Sequence, residues 1–229
     1  MIDAGISMRR TVCGLAQAGL SLQDINGVLI THEHSDHISG LKMLTKYGKL
    51  PIYAPVRLAR ELVRLMPECE DCMNVAPLDK KFSVAGYEID ACRTPHDAVE
   101  SVAYRVEGKK SFALATDMGH VTEGIQSLLR GVNAAVVESN YDEEMLRYGP
   151  YPVFLKRRIL SDKGHLSNDG CAKLVSELAS QGTGQIILGH LSKENNSPEI
   201  AMATAGTSVL GKESRLFCAP PQGFLEIIL

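Results

Sequence analysis

The sequence contains no tryptophan and only 5% aromatic residues, so it predicts no obvious surface for stacking nucleic-acid bases. It also lacks an apolar run as long as a transmembrane span or a secretory signal, which predicts a cytoplasmic protein without a membrane partner. The net charge is −3 and the pI about 6.2, whereas a dedicated nucleic-acid-binding protein is more often basic. A nuclease stays compatible with this charge, because a local basic patch can hold a phosphate backbone.

No repeat, low-complexity tract or linker rich in Pro, Gly or Ser interrupts the 229 residues, which predicts a single domain over residues 1–229. Among the six cysteines, only Cys69 and Cys72 have CxxC spacing. This spacing suits a metal ion or a redox pair, but no second CxxC completes a zinc knuckle. Ordinary reduced thiols are therefore the favoured interpretation.

Short apolar runs typical of buried strands alternate with segments of helical periodicity along most of the chain. "GVLITH", "NAAVVESN" and "QIILGH" predict strands, "VRLARELVRLM" and "SNDGCAKLVSELASQG" predict helices, and "RLFCAP" and "GFLEIIL" predict two closing strands. This alternation predicts an α/β fold with two mixed sheets flanked by helices. "MIDAGIS" looks like the tail of a strand with nothing before it, so we expect the first N-terminal strands to be missing.

Four ligand-type side chains crowd into "THEHSDH": His32, His34, Asp36 and His37. Imidazole and carboxylate together suit Zn²⁺, Mn²⁺ or Fe²⁺. His32 and His34 stand two apart at a strand end, so their side chains converge if the backbone is extended, while Asp36 and His37 open a helix and face another way. Four such groups suit two ions side by side better than one ion with an open position. The alternative is a polar loop of solvated histidines.

Three further ligand-type residues follow apolar strands later in the chain: His96 in "RTPHDA", Asp117 in "LATDMG" and His190 in "ILGHLS". Strand ends are where a rigid scaffold holds chemistry. A lone histidine at a strand end is more often structural. As a set that follows the first cluster, however, the three residues predict the remaining ligands of a metal site.

H-x-H-x-D-H followed by His, Asp and His at later strand ends resembles the metallo-β-lactamase superfamily over essentially the whole chain. The resemblance implies an αββα sandwich with a two-metal site at one edge of the sheets, and two divalent ions, Zn²⁺ or Mn²⁺, as cofactors. The implied ligands are His32, His34 and His96 for one ion and Asp36, His37 and His190 for the other, with Asp117 bridging them. Asp3 in "MIDAG" matches a residue that supports the ligands.

The branch of the superfamily is indicated by smaller details. Asp36 within the cluster, in place of Cys or Ser, argues against the antibiotic-hydrolysing enzymes. "GHLSNDG" before a helix and "LGHLS" after it resemble the phosphodiesterase branch, which includes ribonuclease Z. "IDAGIS", "THEHSDHISGL", "HDAVESVAYRV", "ATDMG" and "ESNYD" resemble the YycJ (WalJ) group of bacterial DNA exonucleases.

This resemblance implies hydrolysis of phosphodiesters in DNA or RNA by attack of a metal-bound hydroxide. The residues assigned to catalysis and substrate contact are Asp36, His165, Ser167 and Asn195. His165 would contact the phosphate or protonate the leaving group, and Glu138 would orient a ligand histidine or His165. The alternatives are a structural role for His165 at its helix and a structural ion pair for Glu138. We expect His120 near the site but not as a ligand.

Two other functions stay open. The acidic pI mildly favours a small-molecule hydrolase of the same fold, such as a thioesterase or lactonase, although the His165 motif disfavours it. The missing N-terminal strands would also fit an inactive or regulatory metal-binding fragment. A nuclease predicts nucleic acid as the partner, and self-association is left open.

Overall fold

The computed structural model of the chain describes residues 1–221 and 223–228. Contacts divide the chain into two compact units, the first formed by Met1–Ala91 with Ala98–Val102 and the second by Cys92–Asp97 with Ala103–Leu229. None of the described helices combines the length and apolar character needed to cross a bilayer.

The first unit contains short strands and helices. In chain order they are α1 (Met8–Gln17), β1 (Val28–Leu29), α2 (Ser35–Ile38), α3 (Leu41–Gly48), β2 (Ile52–Ala54), α4 (Val56–Leu65), β3 (Met73–Val75), β4 (Phe82–Val84) and β5 (Tyr87–Arg93), the last of which ends in the second unit. Short 3₁₀ turns lie at Leu22–Asp24 and Pro67–Cys72.

A three-stranded sheet in the order β1-β2-β3 forms the centre of the first unit, and its strands pair in parallel. Ile2 adds a parallel bridge to Leu29, which brings the N-terminal residues alongside β1. The helices bury their apolar stripes on this sheet, for example Leu58 and Leu62 of α4, one helical turn apart. This packing fixes the end of β1, from which the first histidines follow.

The second unit contains the longer strands. In chain order its elements are β6 (Val102–Glu107), which begins in the first unit, β7 (Ser111–Ala115), α5 (Glu123–Leu129), β8 (Ala134–Glu138), α6 (Glu143–Tyr148), α7 (Val153–Ile159), α8 (Asn168–Ser180), β9 (Gln185–Gly189), α9 (Pro198–Gly206) and β10 (Arg215–Cys218). A 3₁₀ turn at Thr207–Val209 follows α9.

Strands of the second unit lie in the order β10-β9-β8-β7-β6, with β6 antiparallel to β7 and the others parallel. The parallel strands β7, β8 and β9 therefore end at the same edge of the sheet, which places the residues that follow them close together. Helix α8 covers one face with Leu174, Val175 and Leu178, whose spacing forms an apolar stripe. The Ser167 hydroxyl caps this helix by accepting from the Gly170 N–H, at the start that its sequence predicts.

The predicted closing strand over "GFLEIIL" is wrong for the described residues 223–228, which form no strand. The segment is held instead by a side-chain contact, since Gln185 Nε2 donates to the Ile228 carbonyl at 2.7 Å. Its apolar residues have the pattern of a strand. A strand forms, however, only if the edge of a neighbouring strand is free to pair with it, and the local sequence does not specify this. Leu229 lies outside the described residues.

Candidate functional site

The first cluster of ligand-type residues lies in the first unit, directly after β1. His32 is fully buried and His37 almost so, whereas the Asp36 side chain is 66% exposed. The rings of His32 and His34 lie 4.5 Å apart and those of His32 and His37 4.1 Å apart, measured between centroids. His37, in the short helix α2, thus has its ring beside that of His32, while its Nε2 lies 3.6 Å from Asp36 Oδ2.

Asp3 and Thr31 hold this cluster through a partly buried hydrogen-bond network. The Asp3 carboxylate accepts from the Thr31 backbone N–H and hydroxyl, both at 2.8 Å, and lies 2.7 Å from His37 Nδ1. Asp3 adopts a left-handed backbone conformation with φ of 56°, which aims its side chain at these partners. Because a carboxylate only accepts, His37 Nδ1 carries the proton and the ring's lone pair lies on Nε2.

Thr31 is a positioning residue that the sequence did not single out. Its hydroxyl donates to Asp3 Oδ2, so it accepts from His32 Nδ1, which lies 3.1 Å away. This contact also places the lone pair of His32 on Nε2. The only sequence signal for Thr31 is its position between a buried strand and the first histidine, where a threonine is ordinary.

The second cluster lies in the second unit at the edge where its parallel strands end. Asp117 follows β7 and His190 follows β9, and both adopt left-handed backbone conformations, with φ of 58° and 57°. Asp117 Oδ1 lies 3.5 Å from His190 Nε2, 3.6 Å from His96 Nε2 and 3.8 Å from His165 Nδ1. Backbone strain of this kind at non-glycine residues concentrates at functional sites.

Glu138, the last residue of β8, joins two histidines of this cluster from a fully buried position. Its Oε1 accepts from His165 Nδ1 at 2.7 Å and from His190 Nδ1 at 2.9 Å. Its Oε2 accepts from the backbone N–H groups of Met118 and Leu166, at 2.9 Å and 3.3 Å. Both imidazoles therefore carry their proton on Nδ1 and their lone pair on Nε2.

The charge of Glu138 is stabilised by these partners. Burial alone would raise the pKa of its carboxyl group, but the hydrogen bonds and charges of His165 and His190 outweigh this effect and lower the pKa to about 2. Glu138 is thus an anion that accepts hydrogen bonds from two imidazoles, and these bonds, rather than an ion pair with Arg or Lys, hold its side chain in place.

His96 is oriented by the backbone of a glycine. Its Nδ1 lies 3.1 Å from the Gly164 carbonyl oxygen, which can only accept, so the lone pair of this ring is again on Nε2. Burial lowers the pKa of His96, which favours the neutral imidazole that a metal ligand needs. A Cβ at Gly164 would lie 2.1 Å from the Ile159 carbonyl oxygen, so the loop requires glycine.

Within the second unit, the donor set fits divalent metal ions. Asp117, Glu138, His165 and His190 bring one potential ligand atom each to within 4.8 Å of one another. The Nδ1 atoms of His32, His37, His96 and His190 are hydrogen-bonded to a carboxylate, a hydroxyl or a carbonyl group, which leaves the lone pair of each ring on Nε2. Metal-ligating histidines in proteins usually have such a hydrogen bond at the other ring nitrogen. A thiolate is absent from both of these described clusters, so the chemistry is that of nitrogen and oxygen ligands.

Three other predicted residues have structural partners. Ser167 serves as the cap of α8, and exposed His120 contacts the Asp162 carbonyl oxygen through Nδ1 at 3.1 Å. Asn195 is fully buried, and its backbone N–H and side-chain amide approach the Ser192 hydroxyl at 3.2 Å and 3.4 Å. A fully buried amide has no surface for a substrate, so Asn195 serves the structure as a buried hydrogen-bonding residue.

The CxxC pair belongs to the core of the first unit. Cys69 is fully buried among apolar residues, and burial raises its pKa to about 11. A redox-active thiol needs the opposite shift, because the thiolate is the reactive form. The six cysteines all lie in the described part of the chain and form no disulfide there, in agreement with the interpretation as reduced thiols.

Comparison with known proteins decides the family. The family described as "Beta-lactamase superfamily domain" matches residues 1–191, a span that includes both clusters. The chain belongs to the beta-lactamase superfamily. The predicted family is therefore confirmed.

Two curated relatives have similar sequences. The chain is 38% identical over 210 residues to "Exodeoxyribonuclease YycJ" of Bacillus anthracis, a match that covers 88% of this chain and 77% of the relative. It is 36% identical over 208 residues to "Exodeoxyribonuclease WalJ" of Streptococcus pneumoniae serotype 2, covering 89% and 77%. The predicted likeness to the YycJ and WalJ group is confirmed.

The fold is confirmed by solved structures. The metallo-beta-lactamase fold protein YhfI from Bacillus subtilis superimposes with a TM-score of 0.71 at 17% identity, covering 95% of this chain and 83% of that one. At this identity the likeness establishes the fold and not the substrate. The chain has the metallo-β-lactamase fold, with two sheets flanked by helices.

Proposed function

We propose that this beta-lactamase superfamily protein is a metal-dependent exonuclease that hydrolyses phosphodiesters at DNA ends. Support comes from the exodeoxyribonuclease YycJ, with which it shares 38% identity over 88% of its length. The two clusters of nitrogen and oxygen ligands also support a metal-dependent hydrolase of the nuclease type. DNA rather than RNA, and ends rather than internal bonds, are parts of the proposal. So is the cytoplasmic location.

The proposed ligands of two divalent ions, Zn²⁺ or Mn²⁺, follow the family pattern. One ion would take His32, His34 and His96, the second would take Asp36, His37 and His190, and Asp117 would serve both. Such ions supply Lewis-acid polarisation of the phosphate and an activated water. The family match runs through both compact units, which supports treating residues 1–229 as one hydrolase domain.

The observation that carries the proposal is the shared carboxylate oxygen of Glu138. It fixes His190 and His165 in the same tautomer and directs the Nε2 atom of each away from the carboxylate. His190 is a proposed ligand, whereas His165 is not. One carboxylate thus aligns a ligand and a neighbouring imidazole for a common reaction.

His165 is the proposed proton donor or phosphate contact. Its Nδ1 donates to the Glu138 carboxylate, which orients the ring so that Nε2 faces away from the anion and can contact a phosphate oxygen or pass a proton to a departing alkoxide. Its ring centroid lies 5.2 Å from that of His96 and 5.4 Å from that of His190, so any group bound there is within its reach. Asp36, whose side chain is exposed, is assigned to catalysis as a proposed ligand of the second ion.

Elemental analysis combined with hydrolysis assays tests the function. We expect bound metal, and hydrolysis of bis(p-nitrophenyl) phosphate and of single- or double-stranded DNA ends in the presence of Mn²⁺ or Zn²⁺. His34→Ala and Asp117→Ala should lose both metal and activity. His120→Ala is the matched control, because this exposed histidine lies outside both clusters and should change neither.

Three outcomes would contradict the proposal, the third only in its choice of substrate. Cleavage of thioesters or lactones without cleavage of phosphodiesters would indicate a small-molecule hydrolase. Fewer than about one metal ion per chain, with no recovery on adding Mn²⁺ or Zn²⁺, would indicate an inactive metal-binding protein. Degradation of RNA but not DNA would overturn the choice of substrate while leaving the reaction type intact.

A further inference from the structure

One surface of the second unit is basic and aromatic although the chain as a whole is acidic. Residues 147–160, "RYGPYPVFLKRRIL", contain four Arg or Lys residues and no Asp or Glu, in a chain of net charge −3. The same stretch contains two tyrosines and a phenylalanine. We define the basic–aromatic surface as the exposed side chains of Arg147, Tyr148, Phe154 and Arg157.

Its aromatic rings are unusually exposed. Tyr148 is 80% exposed at the end of α6, and Phe154 is 74% exposed on α7. The opposite face of α7 packs Leu155 and Ile159 into a small core, so the helix has an ordinary buried side and the rings are not needed there. Large apolar groups left exposed in this way mark an interaction surface. The low aromatic content of the sequence did not predict this surface.

Cations and rings are neighbours on this surface. Phe154 and Arg157 stand three apart on α7 and so are neighbours on one helical face. Lys156 Nζ donates to the Arg147 carbonyl oxygen at 2.8 Å, so Arg147 lies beside α7. A flat ring next to a guanidinium group is the combination with which proteins hold single-stranded nucleic acid, by stacking bases and pairing with phosphates.

The helix α7, which carries part of this surface, ends beside the second cluster. The His165 backbone N–H donates to the Ile159 carbonyl oxygen at 3.1 Å, so α7 ends against the proposed proton donor. Arg158 also donates to Asp97 Oδ1 at 3.0 Å, and Asp97 follows His96 in the chain. A strand lying along α7 would therefore arrive at the residues proposed to hydrolyse it.

We propose that the basic–aromatic surface holds the single-stranded stretch of nucleic acid that leads to the proposed hydrolytic site. Tyr148 and Phe154 stack on bases, and Arg147 and Arg157 contact phosphates. This inference rests on the proposed exonuclease function and adds to it the path of the substrate. It predicts a preference for ends that carry a single-stranded extension.

A second copy of this chain is the main competing occupant. An isologous contact would set this surface against itself and face its two arginines with two more, without an acidic residue in the stretch to compensate. Nucleic acid supplies the opposite charge together with flat bases. The charge of the stretch therefore favours nucleic acid over self-association.

Binding measured without turnover tests the inference. The probe is a fluorescein-labelled phosphorothioate oligothymidylate of about 12 nucleotides, titrated into the metal-loaded protein and followed by anisotropy. Tyr148→Ala and Phe154→Ala should each weaken binding by about fivefold or more, and Phe154→Trp should restore it. Arg157→Gln should reduce the slope of log affinity against log salt by about 0.7.

Matched controls and a small substrate separate this inference from the proposed function. Tyr87→Ala and Arg9→Gln alter an exposed ring and an exposed cation elsewhere and should leave the affinity unchanged. Hydrolysis of bis(p-nitrophenyl) phosphate should be unaffected in the surface variants, because this substrate is too small to need the surface. If the wild type fails to hydrolyse any phosphodiester, the proposed function fails, whereas binding still reports on the surface.

The inference is overturned if Tyr148→Ala and Phe154→Ala bind the probe as tightly as the wild type and the two controls. It is also overturned if sedimentation shows a dimer that Phe154→Ala dissociates while oligonucleotide affinity stays constant. A loss of affinity that appears equally in the control variants would likewise contradict a specific surface.

Discussion

At the scale of single residues, the second cluster depends on how Glu138 divides its hydrogen bonds. One oxygen serves two imidazoles and the other two backbone amides, so the side chain has no freedom to rotate. Hydrogen bonds to a buried ionised acceptor are among the stronger ones in proteins. An anion held in this way keeps His165 and His190 in one orientation.

Replacing Glu138 by glutamine should weaken metal binding without unfolding the protein. The amide retains the shape but loses the charge, and a single amide oxygen cannot satisfy both imidazoles and both backbone donors. We expect a loss of metal affinity of about 10- to 100-fold, measured by metal titration after chelation and dialysis.

Glu70→Gln is the control for this substitution, because Glu70 is exposed in the first unit and away from the ligand-type residues. Circular dichroism should match the wild type for both variants. If Glu138→Gln binds metal as tightly as Glu70→Gln, the residue does not support the ligands.

Ligand-type residues were predictable because their chemistry is carried by the residue type and its spacing. His32, His34 and His190 follow apolar runs directly in the sequence, and the structure places each after its strand. Thr31 and Gly164 were not predictable. They act through a hydroxyl and a carbonyl whose partners are brought to them only by folding.

At the scale of elements, the turn between α7 and α8 couples a helix end to the second cluster. Gly164 gives its carbonyl to His96, and its Cα packs against the last turn of α7. Glycine is required there for space rather than for a left-handed conformation, since a Cβ would meet backbone oxygens of Ile159 and Arg158 at 2.1 Å and 2.4 Å.

Gly164→Ala should therefore destabilise the protein and lower its metal affinity. Backbone atoms cannot move aside as a flexible side chain would, so we expect a loss of about 1–3 kcal/mol in the free energy of unfolding. Displacement of the carbonyl would also release His96. Urea unfolding and metal titration measure the two effects.

Gly206→Ala provides the matched control, because Gly206 lies at the end of α9 with helical dihedral angles, and a Cβ there would meet no described atom within 4 Å. This substitution should raise the free energy of unfolding by about 0.4–1 kcal/mol. Equal effects of the two substitutions would show that the packing at Gly164 is unimportant.

At the scale of the whole molecule, the chain passes repeatedly between its two compact units. Strands β5 and β6 each contain residues of both, and the segment 92–97 joins the second unit before 98–102 return to the first. A boundary that cuts through strands differs from the exposed flexible linker that usually separates domains. If the chain is a single domain, as predicted, its two units should therefore unfold together.

We expect the two units to unfold in a single transition. The absence of tryptophan allows a local probe in each, Tyr53→Trp in the first and Tyr151→Trp in the second, where both tyrosines are half-buried. Their fluorescence midpoints in urea should coincide with each other and with the loss of circular dichroism. Two separate midpoints would show that the units are independent domains.

The sequence by itself determined which residues could bind metal, the order of most strands and helices, and the family. These features depend on residue type, spacing and periodicity, which are local. Tertiary structure alone decided that Glu138 serves two histidines, that Thr31 and Gly164 orient others, and that "GFLEIIL" forms no strand over its described residues. It also decided that a few aromatic side chains stay exposed among cations on α6 and α7. The physical reason is that hydrogen-bond partners and burial are set by residues distant in the chain, which no local pattern contains.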